Sequence, residues 1–299
     1  MKEIILDFFK KVDFDKLDMV SKHLLQKAFN GKFEAYKKLL EQEDIELIEK
    51  VFLNDLENKN LDADKLLSTI ARVYFVLKEY ENSIKIDKML VENSSDILLF
   101  QSLYNLASTL YIVGEFEDSK NNLAKCIQII ENNKLDLKNV EILRVYLRAS
   151  ILYIAVLSEL GEDSQYLYKI TKNTLEVLNK YKQYLRSNEE IEYFLVQLYI
   201  QISSIQNITQ NYDGALEYAK EALKVLEEKR VYIANEVKWG VYFNLAYAYE
   251  QKEDYKKAYE YANKAQKVSK RLKEDDPKVK RTKALIDSLK LKEDVEVYA

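Results

Sequence analysis

Apolar and polar positions along this chain follow the period of amphipathic helices, and one arrangement of them returns five times. Each copy starts with an aliphatic and aromatic helix that carries a small residue in its middle. A tight polar turn with an aromatic residue follows, and then a second amphipathic helix. In the clearest copy Ala246 lies in the first helix, Asp254 at the turn and Ala258 just after it. Such self-similarity predicts helix pairs stacked into an α-solenoid.

The other copies align on the residue that follows the turn. This residue is Ser83, Ser119 and Ala215 in three copies, and Leu167 is its best match in a degenerate fourth, whose first helix has Ala155 as its small residue. Successive turn-exit residues from Ser83 to Ala258 are 36, 48, 48 and 43 positions apart, against roughly 34 in common helix-pair repeats. The helices are therefore predicted to be long. We place helix-to-helix breaks near Gly114, Gly161, Tyr212 and Asp254, with Gly31 and Gly214 also in turns.

These segments resemble tetratricopeptide repeats (TPRs) in their order of small, large and aromatic residues, from about residue 64 to 273. The resemblance implies an all-α fold, a right-handed α-solenoid of TPR-like helix pairs. It also implies a scaffold that binds other proteins, because the family has no shared catalytic residue. The long helices look like those of bacterial peptide-pheromone receptors, the Rap and RNPP group of regulators, in which a superhelix encloses a short linear peptide.

Three parts are expected along the chain: a degenerate helical cap over 1–61, five TPR-like helix pairs over 62–273, and a capping helix with a tail over 274–299. In the first part Asp15 or Asp18 is predicted to cap a helix that ends near Asn30, and further helices are predicted over 33–40 and 44–58. No convincing helix-turn-helix is found there. At the other end Asp276 and Pro277 predict the start of a helix that reaches about residue 291.

Composition narrows the classes of partner. The net charge of −4, with both signs mixed along every helix, argues against a general nucleic-acid binder. A basic cluster near the end, from Lys267 to Lys283, would suit an acidic partner but is interrupted by Glu274, Asp275 and Asp276. The N-terminus is too short and too charged for a signal peptide, and no apolar run approaches the ~20 residues of a membrane span. A cytoplasmic protein with no membrane contact is expected.

Catalytic chemistry has little support in the sequence. One histidine and one cysteine leave few nucleophile–base pairs and few metal-ligand sets, and Cys126 lies where small core residues pack. Neither a phosphate-binding loop nor a nucleophile elbow is present. We therefore expect no enzyme, no cofactor and no metal, although a hydrolase that uses only carboxylates stays open.

The candidate ligand site follows from the expected architecture, because first helices of successive pairs line the concave groove of such a solenoid. Two residues before the small residue, three copies carry an amide: Asn105, Gln201 and Asn244. A carboxamide both donates and accepts, so a row of them would hold the backbone of an extended peptide. Chance is an equal alternative in a chain this rich in asparagine.

Other groove positions suggest charge and apolar anchors. The residue after the small position is Arg72, Ser108, Ser204 or Tyr247, and Arg72 with Lys65 would receive an acidic side chain or a terminal carboxylate. Gly240 would widen the groove beside Phe243. The predicted ligand-binding residues are Lys65, Arg72, Tyr104, Asn105, Ser108, Gln201, Ser204, Gly240, Phe243, Asn244 and Tyr247.

Two functions share this groove. The first is a scaffold or adaptor that holds a linear segment of a partner protein, and the second is a sensor that closes around a free peptide of under about ten residues. Homodimerisation is left open by the sequence.

Overall fold

The computed structural model describes residues 2–41, 45–58, 61–228, 234–270 and 276–292. These residues form fifteen α-helices, two short 3₁₀ helices and no β-strand, so the predicted all-α solenoid of helix pairs is confirmed. The chain divides into two compact units, residues 1–129 and 130–299. The division into caps and five repeats remains a prediction.

Eight helices start in the first unit, and the three whose bounds were predicted match those bounds closely. The carboxylate of Asp18 accepts the backbone N–H of Ser21 at 2.6 Å and so caps the second helix, as predicted. The helices are α1 (Lys2–Lys11), α2 (Met19–Ala28), α3 (Phe33–Glu41), α4 (Ile45–Glu57), α5 (Ala63–Val76), α6 (Tyr80–Asn93), α7 (Asp96–Val113) and α8 (Phe116–Asn132).

Aromatic rings fill the core of the first unit. The ring of Phe8 meets those of Phe14 and Tyr74 edge-to-face at centroid distances of 5.8 and 5.3 Å. At the margin of this core the buried carboxylate of Asp55 accepts the Tyr36 hydroxyl at 2.9 Å and the Lys32 ammonium at 2.7 Å. These donors compensate the removal of the charge from water. Burial raises the pKa of the Tyr36 hydroxyl.

The second unit contains further helix pairs and ends with a single helix. Its helices are α9 (Val140–Glu159), α10 (Ser164–Tyr181), α11 (Asn188–Ile208), α12 (Tyr212–Glu228), α13 (Asn235–Gln251), α14 (Tyr255–Ser269) and α15 (Pro277–Lys290). The four predicted breaks near Gly114, Gly161, Tyr212 and Asp254 all fall between helices, as expected. Asp276 caps α15 by accepting the N–H of Lys278 at 2.8 Å.

Alanines make the contact between α13 and α14 close. Ala246 on α13 and Ala258, Ala262 and Ala265 on α14 are fully buried. Because an alanine adds only one carbon beyond the backbone, the two helices approach without a cavity. α15 packs on both helices, and its Leu285, Ile286 and Leu289 join the same core.

Every first helix of a pair ends in the same way. A residue in the left-handed conformation, with φ from 60 to 88°, follows the helix end, and the next N–H donates to a carbonyl five residues back. This closure is the Schellman motif. Glycine occupies the left-handed position in only two pairs. The five residues are Lys78, Gly114, Gly161, Gln210 and Glu253.

The turn-exit residues are also equivalent in the structure. In all five pairs their N–H donates to the residue four positions earlier, which precedes the second helix. The degenerate copy follows this rule, because the N–H of Leu167 donates to the carbonyl of Asp163 at 3.0 Å. The match of Leu167 with Ala215 and Ala258 is therefore confirmed.

The degenerate copy differs by one inserted residue. Glu162 separates the left-handed Gly161 from the capping Asp163, whereas in the other pairs the two positions adjoin. In all other copies the small residue lies seven positions before the left-handed residue. In α9 the residue seven positions before the left-handed Gly161 is Ile154. The predicted match of Ala155 to the small position is therefore wrong by one residue.

The prediction for Gly214 is wrong. This glycine is the third residue of α12, with a helical backbone, and only Gly31, Gly114 and Gly161 have positive φ among the described glycines. A Cβ atom at Gly214 would lie 2.8 Å from Nδ2 of Asn211, whose side-chain oxygen caps the N–H of Gly214 at 3.1 Å. The glycine makes room for a helix cap.

Candidate functional site

The first helices of the pairs carry stripes of partly exposed side chains. A spacing of three, four and four residues places each stripe on one helix face. Counted from the left-handed residue, the stripes of α7 and α11 occupy equivalent positions, and they share glutamine, serine and isoleucine. The stripe of α7 is Gln101, Tyr104, Ser108 and Ile112, and that of α11 is Gln197, Ile200, Ser204 and Ile208.

The same positions on α5 and α13 hold most of the other predicted site residues. We call these stripes the first-helix face of each unit: that of the first unit consists of α5 and α7, and that of the second of α9, α11 and α13. Eight of the eleven predicted residues lie on these two faces. On α5 the stripe is Lys65, Ser68, Arg72 and Val76, and on α13 it is Gly240, Phe243, Tyr247 and Gln251.

The predicted amides of the second unit lie beside this face and bond to neighbouring helices. Nδ2 of Asn244 on α13 donates to the carbonyl of Ile200 on α11 at 3.1 Å, and Asn244 is only 7% exposed. Nε2 of Gln201 on α11 donates to the carbonyl of Ile151 on α9 at 2.9 Å. Ile200 and Ile151 are equivalent positions, so one bond type recurs between successive first helices.

Asn105, the predicted amide of the first unit, has a different environment. It is partly exposed, and its backbone carbonyl accepts the hydroxyl of Thr109 at 3.1 Å. Its side chain forms no hydrogen bond with any residue that the structure describes. The amide of Asn105 therefore remains available to a ligand.

Gly240 lies where two first helices meet. It is buried, and a Cβ atom added to it would lie 3.1 Å from Cγ2 of Ile200. That distance is shorter than ordinary van der Waals contact. The glycine therefore allows α13 to approach the stripe of α11.

The aromatic side chain of Phe243 on α13 packs on Trp239, which is hydrogen-bonded to α15. The ring of Phe243 stacks on the buried ring of Trp239 with centroids 4.7 Å apart, and the Trp239 indole N–H donates to the hydroxyl of Thr282 at 2.8 Å. Tyr247, one turn after Phe243, is partly buried, which raises the pKa of its hydroxyl. Phe243 thus belongs to a fixed surface, since the Trp239 ring on which it stacks is hydrogen-bonded to Thr282 of α15.

Exposed aliphatic residues end three of the stripes. Val76, Ile112 and Ile208 are 44, 48 and 62% exposed, although large aliphatic side chains usually lie in the core. Sequence reasoning missed these residues and the two glutamines at the other end of the stripes. Aligning the copies on the left-handed residues, rather than on the small residues, would have found them.

A separate cavity of about 570 Å³ lies on the second-helix side of the second unit, between the end of α8 and α10. The buried ring of Tyr146 forms part of its wall, and the Tyr146 hydroxyl donates to Glu131 at 2.9 Å. Burial raises the pKa of this hydroxyl. Lys134, Glu176 and Lys180 give the rim both charges.

Metal-binding clusters and membrane-spanning helices are both absent from the described residues. No three His, Cys, Asp or Glu side chains among them are placed to hold a metal ion. None of their helices is long and apolar enough to cross a membrane. Cys126, the single cysteine, is buried as predicted, and burial raises its pKa to about 12.

Comparison with known proteins identifies the repeat. Residues 100–133 and 240–271 match the model of the tetratricopeptide repeat. These segments cover α7 with α8 and most of α13 with α14, which are two of the five observed pairs. Curated protein sequences give no match.

Three solved structures share the fold of this chain at low sequence identity. BtubC from P. vanneervenii is 12% identical with a TM-score of 0.55, and the match covers 87% of this chain and 95% of BtubC. A Rap protein complexed with competence and sporulation factor is 16% identical with a TM-score of 0.54, and the match covers 99 and 90% of the chains. The Cut9–Hcn1 complex is 13% identical with a TM-score of 0.56, and the match covers 98% of this chain and 47% of the matched chain.

Proposed function

We propose that this TPR-type scaffold holds a linear peptide segment of a partner protein along the first-helix face of either unit. The observation that carries the proposal is the stripe shared by α7 and α11, where a glutamine, a serine and an exposed isoleucine recur in both units. Glutamine and serine offer donors and acceptors for a peptide backbone, and the isoleucine offers an apolar contact. The matched repeat is generally one of non-catalytic interaction scaffolds.

The proposed contacts divide into two groups. Lys65, Arg72, Tyr104, Asn105, Ser108, Ser204, Phe243 and Tyr247 are partly or largely exposed and would touch the peptide directly. Gln201, Asn244 and Gly240 would act through the spacing of the first helices, because the two amides already bond across them and Gly240 packs on Ile200. Lys65 and Arg72 favour an acidic residue or a terminal carboxylate at the α5 end.

A peptide array screened with the purified chain provides the ligand for the test. Ser108→Arg and Ser204→Arg then place a long charged side chain on the face of one unit each. We expect one or both to weaken binding by about tenfold or more, since displacing a bound segment costs at least ~1.4 kcal/mol. Glu217→Arg, at an exposed position of α12, is the matched control. Parent-like affinity in both serine variants would refute the proposed face.

A second candidate function is a sensor of a free signalling peptide. The observation in its favour is the match over 99% of this chain to a Rap protein whose structure contains competence and sporulation factor. A sensor responds to its ligand by a population shift, so a free peptide of under about ten residues should change the scattering radius or the oligomeric state. A scaffold would bind the same peptide without such a change.

A further inference from the structure

The last two helices enclose a groove that lies apart from the first-helix face. Its volume is about 390 Å³, and it runs between the end of α14 and the length of α15. We call it the α14–α15 groove. Its lining includes Lys270 from α14 and, from α15, Val279, Lys283, Ile286 and Lys290.

The positive charges of this groove outnumber the carboxylates among the described residues that line it. Lys270, Lys283 and Lys290 are exposed, and none forms an ion pair with a residue that the structure describes. The groove has one carboxylate, that of Asp287. A lysine just after α15 does find a partner: Lys292 pairs with the buried carboxylate of Glu250 at 3.2 Å. The groove thus holds an excess of unneutralised positive charge.

Cationic and aliphatic side chains alternate along one face of α15. Val279, Lys283, Ile286 and Lys290 follow one another at intervals of four, three and four residues, which keeps them on the same side of the helix. Ile286 is only 4% exposed and forms the floor, while Val279 is partly exposed. At about 1.5 Å per residue the stripe is roughly 17 Å long, the length of five or six extended residues.

We propose that the α14–α15 groove binds an acidic segment of a partner protein in which carboxylates and aliphatic residues alternate. The lysines receive the carboxylates, and the aliphatic side chains cover Val279 and Ile286. A polyanion without apolar groups leaves that floor uncovered, so RNA or polyphosphate fits the groove less well than a peptide. This site is independent of the one on the first-helix face.

The probe is a fluorescein-labelled ten-residue peptide in which Glu and Val alternate, followed by anisotropy at low salt. Lys270→Glu with Lys283→Glu reverses two groove charges and should weaken binding by about tenfold or more. Lys267→Glu with Arg281→Glu makes the same change in charge at exposed positions outside the groove lining, and should change affinity by less than about threefold. Circular dichroism checks that both pairs of variants fold.

Three results would overturn the proposal. One is equal affinity of the two variant pairs, and another is an oligo-Glu peptide, polyphosphate or RNA that binds as tightly as the Glu–Val peptide. The third concerns the sequence after α15, where Glu293, Asp294 and Glu296 alternate with valines. If the probe binds only after these three are changed to Gln, Asn and Gln, the occupant is the chain's own segment and not a partner.

Discussion

The second helices α6 and α14 bury the same three positions with opposite chemistry. Counted from the turn, Ser83, Asp87 and Leu90 of α6 match Ala258, Ala262 and Ala265 of α14, and all six are buried. In α14 two of the three alanines, Ala258 and Ala262, belong to an apolar cluster with residues of α13. In α6 the middle position is a carboxyl group. The repeat therefore determines that these positions are buried, while the side chain determines what burial costs.

The carboxyl group of Asp87 is the side chain for which burial is unfavourable. It is 1% exposed, Ser83 is its one hydrogen-bond donor, and its Oδ1 has no partner among the described residues. Removal from water disfavours the charged form and raises the pKa of this carboxyl to about 8. The ordinary value is 3.8. The folded chain therefore keeps a proton here at pH values where the unfolded chain loses it.

The largest expected effect follows from this proton. Because the folded pKa is raised, the free energy of unfolding should fall as pH rises from about 4 to 8, by ~1.4 kcal/mol per pH unit from this group. Asp87→Asn keeps the shape and removes the titration. Urea unfolding at pH 4, 6 and 8 should give parent and variant similar stability at pH 4 and a variant that is clearly more stable at pH 8.

The converse change tests the same comparison from the other helix. Ala262→Asp places a carboxyl at the position equivalent to Asp87 and should make α14 unstable above pH 4 in the same way. A pH-independent difference between Asp87→Asn and the parent would show that Asp87 is ionised and solvated in the folded chain.

Overpacking should have the next largest effect. Ala246→Leu adds three carbons to the contact between α13 and α14 and should lower the free energy of unfolding by about 1 to 3 kcal/mol. Ala284→Leu, at an exposed position of α15, is the matched control and should be near neutral. An unchanged melting temperature for Ala246→Leu would contradict the close approach of these helices.

The amide bonds between first helices should contribute less. Gln201→Met and Asn244→Leu approximately keep side-chain volume and remove one interhelical hydrogen bond each, so each should destabilise by about 0.5 to 1.5 kcal/mol. Asn105→Leu changes the equivalent position in the first unit, where no such bond exists, and should stay within about 0.5 kcal/mol of the parent. Thermal unfolding of the three variants measures the difference; equal losses would show that the bonds contribute nothing specific.

The smallest expected effect concerns the left-handed residues. Lys78 has φ of 64°, a conformation that is unfavourable for a side chain with a Cβ atom but not for glycine. Lys78→Gly should stabilise the chain by up to about 1 kcal/mol, less the greater entropy of glycine in the unfolded state. Gly114→Lys is the reverse change at the equivalent turn and should destabilise. If urea unfolding shows that Lys78→Gly destabilises the chain and Gly114→Lys stabilises it, the assignment of these turns is refuted.

The sequence predicted the helix pairs well because their signals are local and periodic. Turn-exit residues such as Leu167 follow a polar turn and begin an apolar stripe, so even the degenerate copy could be aligned. The left-handed positions were harder, because Lys78, Gln210 and Glu253 carry no local mark of positive φ. The inserted Glu162 likewise carries no local mark, and it shifted the predicted small position of α9 by one residue, from Ile154 to Ala155.

The candidate site could be predicted only in part. Repeat position alone placed Ser108, Ser204 and Tyr247 on the first-helix face. It did not reveal the direction of Gln201 and Asn244, because their partners are carbonyls 50 and 44 residues away in the sequence. A side chain at the border of a face turns toward the nearest unsatisfied acceptor, and only tertiary structure brings that acceptor into place.

The turn at Gly161 has a practical consequence for protein engineering. The N–H of Glu162 completes the Schellman closure, and a separate residue, Asp163, caps α10, so the boundary between Glu162 and Asp163 divides two completed helix ends. Such an exposed boundary accepts additional chain without loss of buried hydrogen bonds. An epitope tag or a fluorescent reporter inserted between Glu162 and Asp163 would follow ligand binding from the middle of the polypeptide, with both termini left free.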